Sequence, residues 1–312
     1  MLPRMLVAHH GNTSNQIEYN RPSAIVRRHT IGAEANPRMP TELHPTAYPQ
    51  INATLRLLEG DVRAVLGARF AGMYLYGSLA SGDFDPATSD VDFLVVTAGP
   101  LAEPAIASLA AMHARIAAGG AKWAAKLEGT YLASSALRRY APEDRTAWPT
   151  LNEGQFYRAP HGWDWVIQRY VLREHGVAVA GPPIRPLIEP VAPTELQRAV
   201  DELLREWWAP MLDTPSRLAT DEYQAYAILS MCRALHTLEH GAIASKPRAA
   251  AWAQRRLGQP WPGVIARALA WRPGTQLDEL PAALDLIRHT LAASAEWRAQ
   301  GRQAHGSRQH DT

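Results

Sequence analysis

The chain has 312 residues, 46% of them hydrophobic and 20% charged, which is enough apolar content for a buried core and too much for global disorder. Its 32 basic and 30 acidic residues leave a net charge of +2, so charge gives no case for a nucleic-acid partner. One cysteine, Cys232, excludes an intramolecular disulfide and a cysteine-rich zinc site, and no apolar run reaches the ~18 residues of a membrane span. The N-terminus lacks the apolar stretch of a secretory signal, so a cytoplasmic protein without membrane contact is expected.

Residues 1–44 mix Pro, Asn, Ser, His and Arg without a period and read as a flexible tail, including the pair His9-His10 and the basic run Arg27-Arg28-His29. A helical period follows, with Ile51, Leu55, Leu58, Val62, Val65 and Leu66 on one face. "AGMYLYGS" predicts a short strand ending in a glycine turn, "GDFDPATS" a loop and "DVDFLVVTA" a second strand. "EPAIASLAAMHARIAAGG" predicts a helix closed by glycines. "AKLEGTYLASSAL" predicts a third strand with Glu128 and Thr130 on one face. Residues 140–162 read as loop, "WDWVIQRYVLREHG" as a helix capped by Gly176, and "VAVAGPPIRPLIEPVAP" as a strand and a proline-rich linker. From Thr194, a good N-cap for "ELQRAVDELLREWWAPML", the chain becomes helical to about residue 300 and ends in a polar tail over 301–312. An α/β unit over residues 45–190 and a helical bundle over 191–300 are therefore expected.

The chemistry concentrates in "LYGSLASGDFDPATSDVDFLVV". Asp90 and Asp92 lie two residues apart at the start of a strand and so share a face, where two carboxylates repel and are costly to bury. A divalent cation would remove that repulsion: Mg²⁺ takes hard oxygen ligands, commonly one or two carboxylates with substrate phosphates. Gly77 lets the backbone approach a triphosphate, Ser78 can donate to phosphate oxygens, and Glu128 on the next strand can share the metal or take a proton from an attacking hydroxyl. The bland alternative is a pair of solvated loop-end acids. No GK[ST] follows the glycine, and no G-x-G-x-x-G is present.

At these residues the sequence resembles the nucleotidyltransferase superfamily. "REHGVAVAGPP" and "SMCRALHTLEHGAIASKPRAAAWAQRRL" further resemble the C-terminal domain of the streptomycin/spectinomycin adenylyltransferases. The resemblance implies a small mixed-sheet nucleotidyltransferase domain followed by a C-terminal helical bundle. It implies Mg²⁺ at Asp90 and Asp92, and Glu128 as a catalytic base that also lies near the metal. It places Ser78 and Ser89 on the triphosphate, and Arg233 and Lys246 on the phosphates from the helical domain. Trp271 falls near where the family carries a tyrosine beside the nucleotide. The family's drug-binding acids fall here on Tyr223 and Ala219, with Asp221 and Glu222 adjacent but out of register. Its substrate-facing tryptophan has no clear counterpart, although Trp163, Trp165 or Tyr157 can stand in. A polycationic acceptor calls for acids from both domains, and Asp164, Asp221 and Glu222 are the candidates, with Trp163 as a stacking surface.

Without the family, Arg233 reads as a solvated arginine off the apolar stripe of its helix, and Lys246 as a lysine at a helix N-terminus, which favours phosphate. Cys232 reads as a core thiol, and His236 and His240, without an HExxH frame, as packing residues at a helix end. The expectation is an ATP- and Mg²⁺-dependent adenylyltransferase acting on a small hydroxylated acceptor such as an aminoglycoside, as a monomer or weak dimer. The alternatives are another metabolite, a protein or RNA acceptor, or a non-catalytic, antitoxin-like nucleotide-binding module.

Overall fold

The structure, a computed structural model, describes residues 44–308, with side chains described to residue 303. The tail expected over residues 1–44, with His9-His10 and Arg27-Arg28-His29, lies outside the described residues except for His44.

The elements that build the sheet part run α1 (Pro49–Leu66), β1 (Phe70–Leu75), α2 (Gly77–Ser81), β2 (Val91–Thr97), α3 (Glu103–Ala118), β3 (Leu127–Ala133), α4 (Ser134–Leu137), β4 (Ala147–Asn152), β5 (Gln155–Pro160), α5 (Asp164–His175) and β6 (Val177–Ala180). The strands form one sheet in the order β5-β4-β3-β2-β1-β6. Every pairing is antiparallel except β2 with β3, which are joined by the crossover helix α3. One face packs Ile51, Leu55 and Leu58 of α1 and Leu109 and Met112 of α3 against Met73, Phe93 and Tyr131. The other packs Trp165 and Leu172 of α5 against Tyr74, Leu94 and Leu132. A sheet covered on both sides explains why β2 is buried at every position and reads as a continuous apolar run.

Residues 140–162 depart from the expected loop, because β4 and β5 form a hairpin there. Its two-residue turn, Glu153-Gly154, has φ of 49° and 74°, the left-handed pair that matches strand twist. Glu is an unusual first residue for such a turn, and Pro149 argued against a strand. The proline is tolerated because β4 pairs with β3 only at Gly129↔Leu151 and Thr130↔Thr150.

The helical part comprises α6 (Pro193–Leu203), α7 (Pro210–Asp213), α8 (Asp221–His240), α9 (Lys246–Arg256), α10 (Trp261–Ala270) and α11 (Leu280–Arg308). Helix α8 is its axis, with Ala227, Ile228, Met231 and Cys232 buried against α6, α9, α10 and α11. Cys232 is a core thiol as expected, and burial pushes its pKa up to about 12. His236 and His240 pack edge-on against Trp252, and a ring nitrogen of His236 meets Ala242 O at 3.2 Å.

Three expectations for the helices are corrected. Pro193 opens α6 and Ala192 occupies the cap position without a side-chain bond, so Thr194 lies inside the first turn. The helix expected over 195–212 is interrupted by a π-turn, Leu204–Trp208, in which Ala209 N bonds Leu204 O at 2.8 Å. Pro210 is the cause, since its ring clashes with the carbonyl four residues back and the wider turn relieves the clash. The last helix runs on to Arg308, so residues 301–308 are helical where a polar tail was expected. Among the described residues no helix is long and apolar enough to cross a membrane.

Candidate active site

The sheet register assembles the site. Asp92 pairs with Glu128 across the parallel β2–β3 ladder, and Tyr76 N donates to Asp92 O at 3.2 Å from the end of β1. Tyr76, Asp92 and Glu128 therefore form a lateral row on three adjacent strands. Asp90 stands one residue before β2, on the same face as Asp92. Both aspartates are buried, at 4% and 7% exposure, so they are not solvated loop-end acids.

Gly77 shows why the loop must start as it does. Its φ is +64°, and a Cβ there would lie 1.9 Å from Asp92 Oδ2. The backbone thus passes against the carboxylate at a distance only glycine allows. Gly77→Ala is expected to displace Asp92 and cut any activity by about 100-fold or more while the chain still folds, checked by turnover alongside circular dichroism.

Burial raises the Asp92 pKa to about 6, helped by the charge of Asp90 and opposed by Lys246 and Arg233. The two cations belong to the helical part, so the cleft between sheet and helices brings four expected site residues into one electrostatic field. Arg233 is not a solvated arginine. Its Nε donates to Ala244 O at 3.1 Å, and burial lowers its pKa against the favourable charges of Tyr226, Asp83 and Asp92. Lys246 opens α9, with its ammonium 5.7 Å from the Tyr226 ring centroid.

Asp90 Oδ1 accepts from Lys126 Nζ at 3.1 Å, a partner the sequence reading missed because a lysine two residues before Glu128 carries no motif. Among the described residues no group of three His, Cys, Asp or Glu side chains stands at metal-binding spacing, so Asp90, Asp92 and Glu128 do not form a closed three-ligand set. Lys126 holds Asp90, while Glu128 sits one strand over from Asp92.

Ser78 lies in α2, partly exposed, and its carbonyl accepts Asp83 N at 3.1 Å. Ser89 Oγ accepts Asp85 N at 3.0 Å and fixes the loop that leads into Asp90. The Trp271 indole N–H is committed to Thr275 O at 2.9 Å, so only its ring is free for contacts. Tyr76 was also missed. Burial, then the charges of Asp92, Glu128 and Asp164, keep its hydroxyl protonated well above the usual range.

The substrate candidates separate. Asp164 opens α5 close to Tyr76, and burial first, then the charges of Glu128, Glu153 and Asp164, raise the Tyr157 pKa. Trp163 packs on Tyr140 at 5.4 Å and under the Arg198 guanidinium at 5.0 Å. Asp221 and Glu222 instead start α8, about 18 Å along the axis from Arg233. The Asp221 carboxylate accepts Asp278 N at 3.0 Å, and Glu222 is exposed.

Burial raises the Asp164 pKa to about 6, against backbone hydrogen bonds from its own amide and that of Gly162 and the charge of Arg169. A carboxyl raised on folding contributes stability that is complete below about pH 4 and lost as pH rises to about 6. Asp164→Asn is therefore expected to stabilise the fold by up to about 3 kcal/mol above pH 6, with the gain vanishing toward pH 4. Urea unfolding across that range measures it.

A buried carboxylate pair beside a glycine turn, a third acid on the parallel neighbour strand and cations from a helical partner are the features in which this chain resembles the nucleotidyltransferase superfamily. Residues 62–132 match the nucleotidyltransferase domain family and residues 186–296 the aminoglycoside adenylyltransferase C-terminal domain family. Among the members of that superfamily it resembles the aminoglycoside 3''-adenylyltransferases with their C-terminal helical domain. It is 26% identical over 247 residues to an Escherichia coli aminoglycoside (3'') (9) adenylyltransferase, covering 76% of this chain and 91% of that one. A Shigella flexneri protein of the same description is 27% identical over 228 residues, covering 70% and 84%. The fold is similar to that of the spectinomycin adenyltransferase AAD(9) from Enterococcus faecialis, solved with ATP and spectinomycin: TM-score 0.62 at 17% identity, covering 77% of this chain and 98% of that one.

Proposed function

We propose that this chain transfers AMP from ATP to a hydroxyl of a small aminoglycoside- or aminocyclitol-like acceptor and releases pyrophosphate. The observation that carries the reading is the buried Asp90–Asp92 pair, set against Gly77 and faced by Arg233 and Lys246. The similarity to proteins described as aminoglycoside (3'') (9) adenylyltransferases supports the acceptor class.

The donor set fits Mg²⁺. Two buried carboxylate side chains, one of them raised by the other's charge, are the hard oxygen ligands such an ion takes together with substrate phosphates. Asp90 and Asp92 would hold it, with Glu128 close by, and the ion would supply charge neutralisation on the phosphates. The chain's own residues do the rest. Ser78, Ser89, Arg233 and Lys246 bind and orient the triphosphate, with the Trp271 ring beside the nucleotide. Glu128 takes the proton of the attacking hydroxyl as the new O–P bond forms and pyrophosphate leaves. Trp163 and Asp164 receive the acceptor.

A less cationic hydroxylated metabolite is the second reading. It is favoured by the commitment of the Asp221 carboxylate to Asp278 N at 3.0 Å and by the exposure of Glu222. Pyrophosphate release from ATP and Mg²⁺ across a panel of aminoglycosides and aminocyclitols decides between them. Turnover with a panel member is expected, and none with any member would leave the metabolite.

A further inference from the structure

The segment Trp271-Arg272-Pro273-Gly274-Thr275 forms a braced turn after α10. Arg272 O accepts from Thr275 N at 3.0 Å and from Thr275 Oγ1 at 2.7 Å, and the Trp271 indole closes the turn onto Thr275 O. Pro273 and Gly274, the latter at φ +84°, fill the two central positions as a type II turn requires. So braced, the turn holds the Arg272 guanidinium with Nη1 2.7 Å from Trp271 O and Nη2 3.5 Å from Asp85 Oδ2.

Asp85 is the hub of the loop between α2 and β2. Its Oδ1 accepts Ala87 N at 2.9 Å, its carbonyl accepts Thr88 N at 3.1 Å and Ser89 N at 2.8 Å, and its own N–H donates to Ser89 Oγ. The same loop carries Asp83, whose charge favours the Arg233 guanidinium. Two acids of the loop thus face two arginines of the helical part, on the rim of the site that ends in Asp92.

The Arg272–Asp85 contact is a weak tie. The side chains are 50% and 37% exposed, and a single long contact in water holds little stability, while Arg272 Nη1 donates to Trp271 O at 2.7 Å and to Leu269 O at 3.4 Å and leaves Nη2 as the exchangeable end. A guanidinium fork bonds a phosphate more strongly than one distant carboxylate oxygen. We propose that Arg272 is a further nucleotide-binding residue, which exchanges Asp85 for an oxygen of the outer phosphates when a nucleoside triphosphate enters. The outer phosphates are assigned because Arg272 sits at the exposed rim, whereas Asp90 and Asp92 lie buried within. This inference rests on the nucleotidyl-transfer reading above.

Calorimetric titration of the full chain with ATP and Mg²⁺, and separately with AMP, tests it. Arg272→Ala is expected to weaken ATP about tenfold or more and AMP less than about twofold, and Arg272→Gln to do the same with less change to packing. The loss should persist when Asp85→Asn has already removed the tie. Unchanged ATP binding in both arginine variants would overturn the proposal. So would equal losses from Asp85→Asn and Arg272→Ala with none added in the double variant, which would make Arg272 a brace for the loop. A wild-type chain that binds no ATP would instead overturn the nucleotidyl-transfer reading itself.

Discussion

Glu128→Gln is expected to abolish turnover while ATP binding survives. The substitution keeps the shape of the side chain and one carbonyl oxygen, but it removes the basicity needed to take a proton from the acceptor hydroxyl. General-base catalysis contributes about 10²–10⁴-fold, and the loss should fall in that range or beyond it if Glu128 also helps to hold the metal. Glu128 sits in β3 opposite Asp92, where the parallel ladder fixes its backbone, so the variant should fold as the wild type does. Pyrophosphate release measures the first half of the prediction and calorimetry with ATP the second. A variant that retains wild-type turnover would remove Glu128 from the role of base.

The combined change Asp90→Asn and Asp92→Asn is expected to eliminate the Mg²⁺-dependent part of ATP binding. Both carboxylates are buried, and burial raises the Asp92 pKa to about 6, with Asp90 adding to the rise. Uncharged amides of the same size relieve that repulsion and keep an oxygen for Lys126, and circular dichroism alongside the titration verifies that the double variant folds. Lost binding would then report lost ligands and not a lost fold. Titration with ATP, with and without Mg²⁺, should show a wild-type difference that disappears in the variant. A magnesium effect that persists would sink the assignment of the metal to these two residues.

The sheet strands, the crossover helix and the helical half were legible because each carries a local signal. The continuous apolar run "FLVV" is what a strand covered on both faces must show, and the 3.6-residue period from Ile51 to Leu66 is what a helix on that sheet must show. The carboxylates were legible for a related reason: two acids at the mouth of an apolar strand contradict the pattern around them. The hairpin over 147–160 was not legible, since Glu153 is a poor mark for a left-handed turn and Pro149 argues against a strand until its neighbours are known. Nor could any short-range signal show that Pro210 is accommodated by a π-turn rather than by ending the helix.

By itself the sequence determined the two halves of the molecule and the glycine-serine turn, and it put Asp90 and Asp92 on one strand face with Glu128 on the next strand, because spacing along a strand fixes which side chains share a face. Tertiary structure alone decided which distant residues meet them. It carried Arg233 and Lys246 from the helical half to the field of Asp92, set Lys126 on Asp90, and ringed Tyr76 with carboxylates. Those meetings span from 36 residues of chain for Lys126 and Asp90 to more than a hundred for Arg233 and Lys246 with Asp92, and depend on how elements pack around the sheet. The charge of an arginine is written in the sequence, and the carboxylate it faces is set by packing.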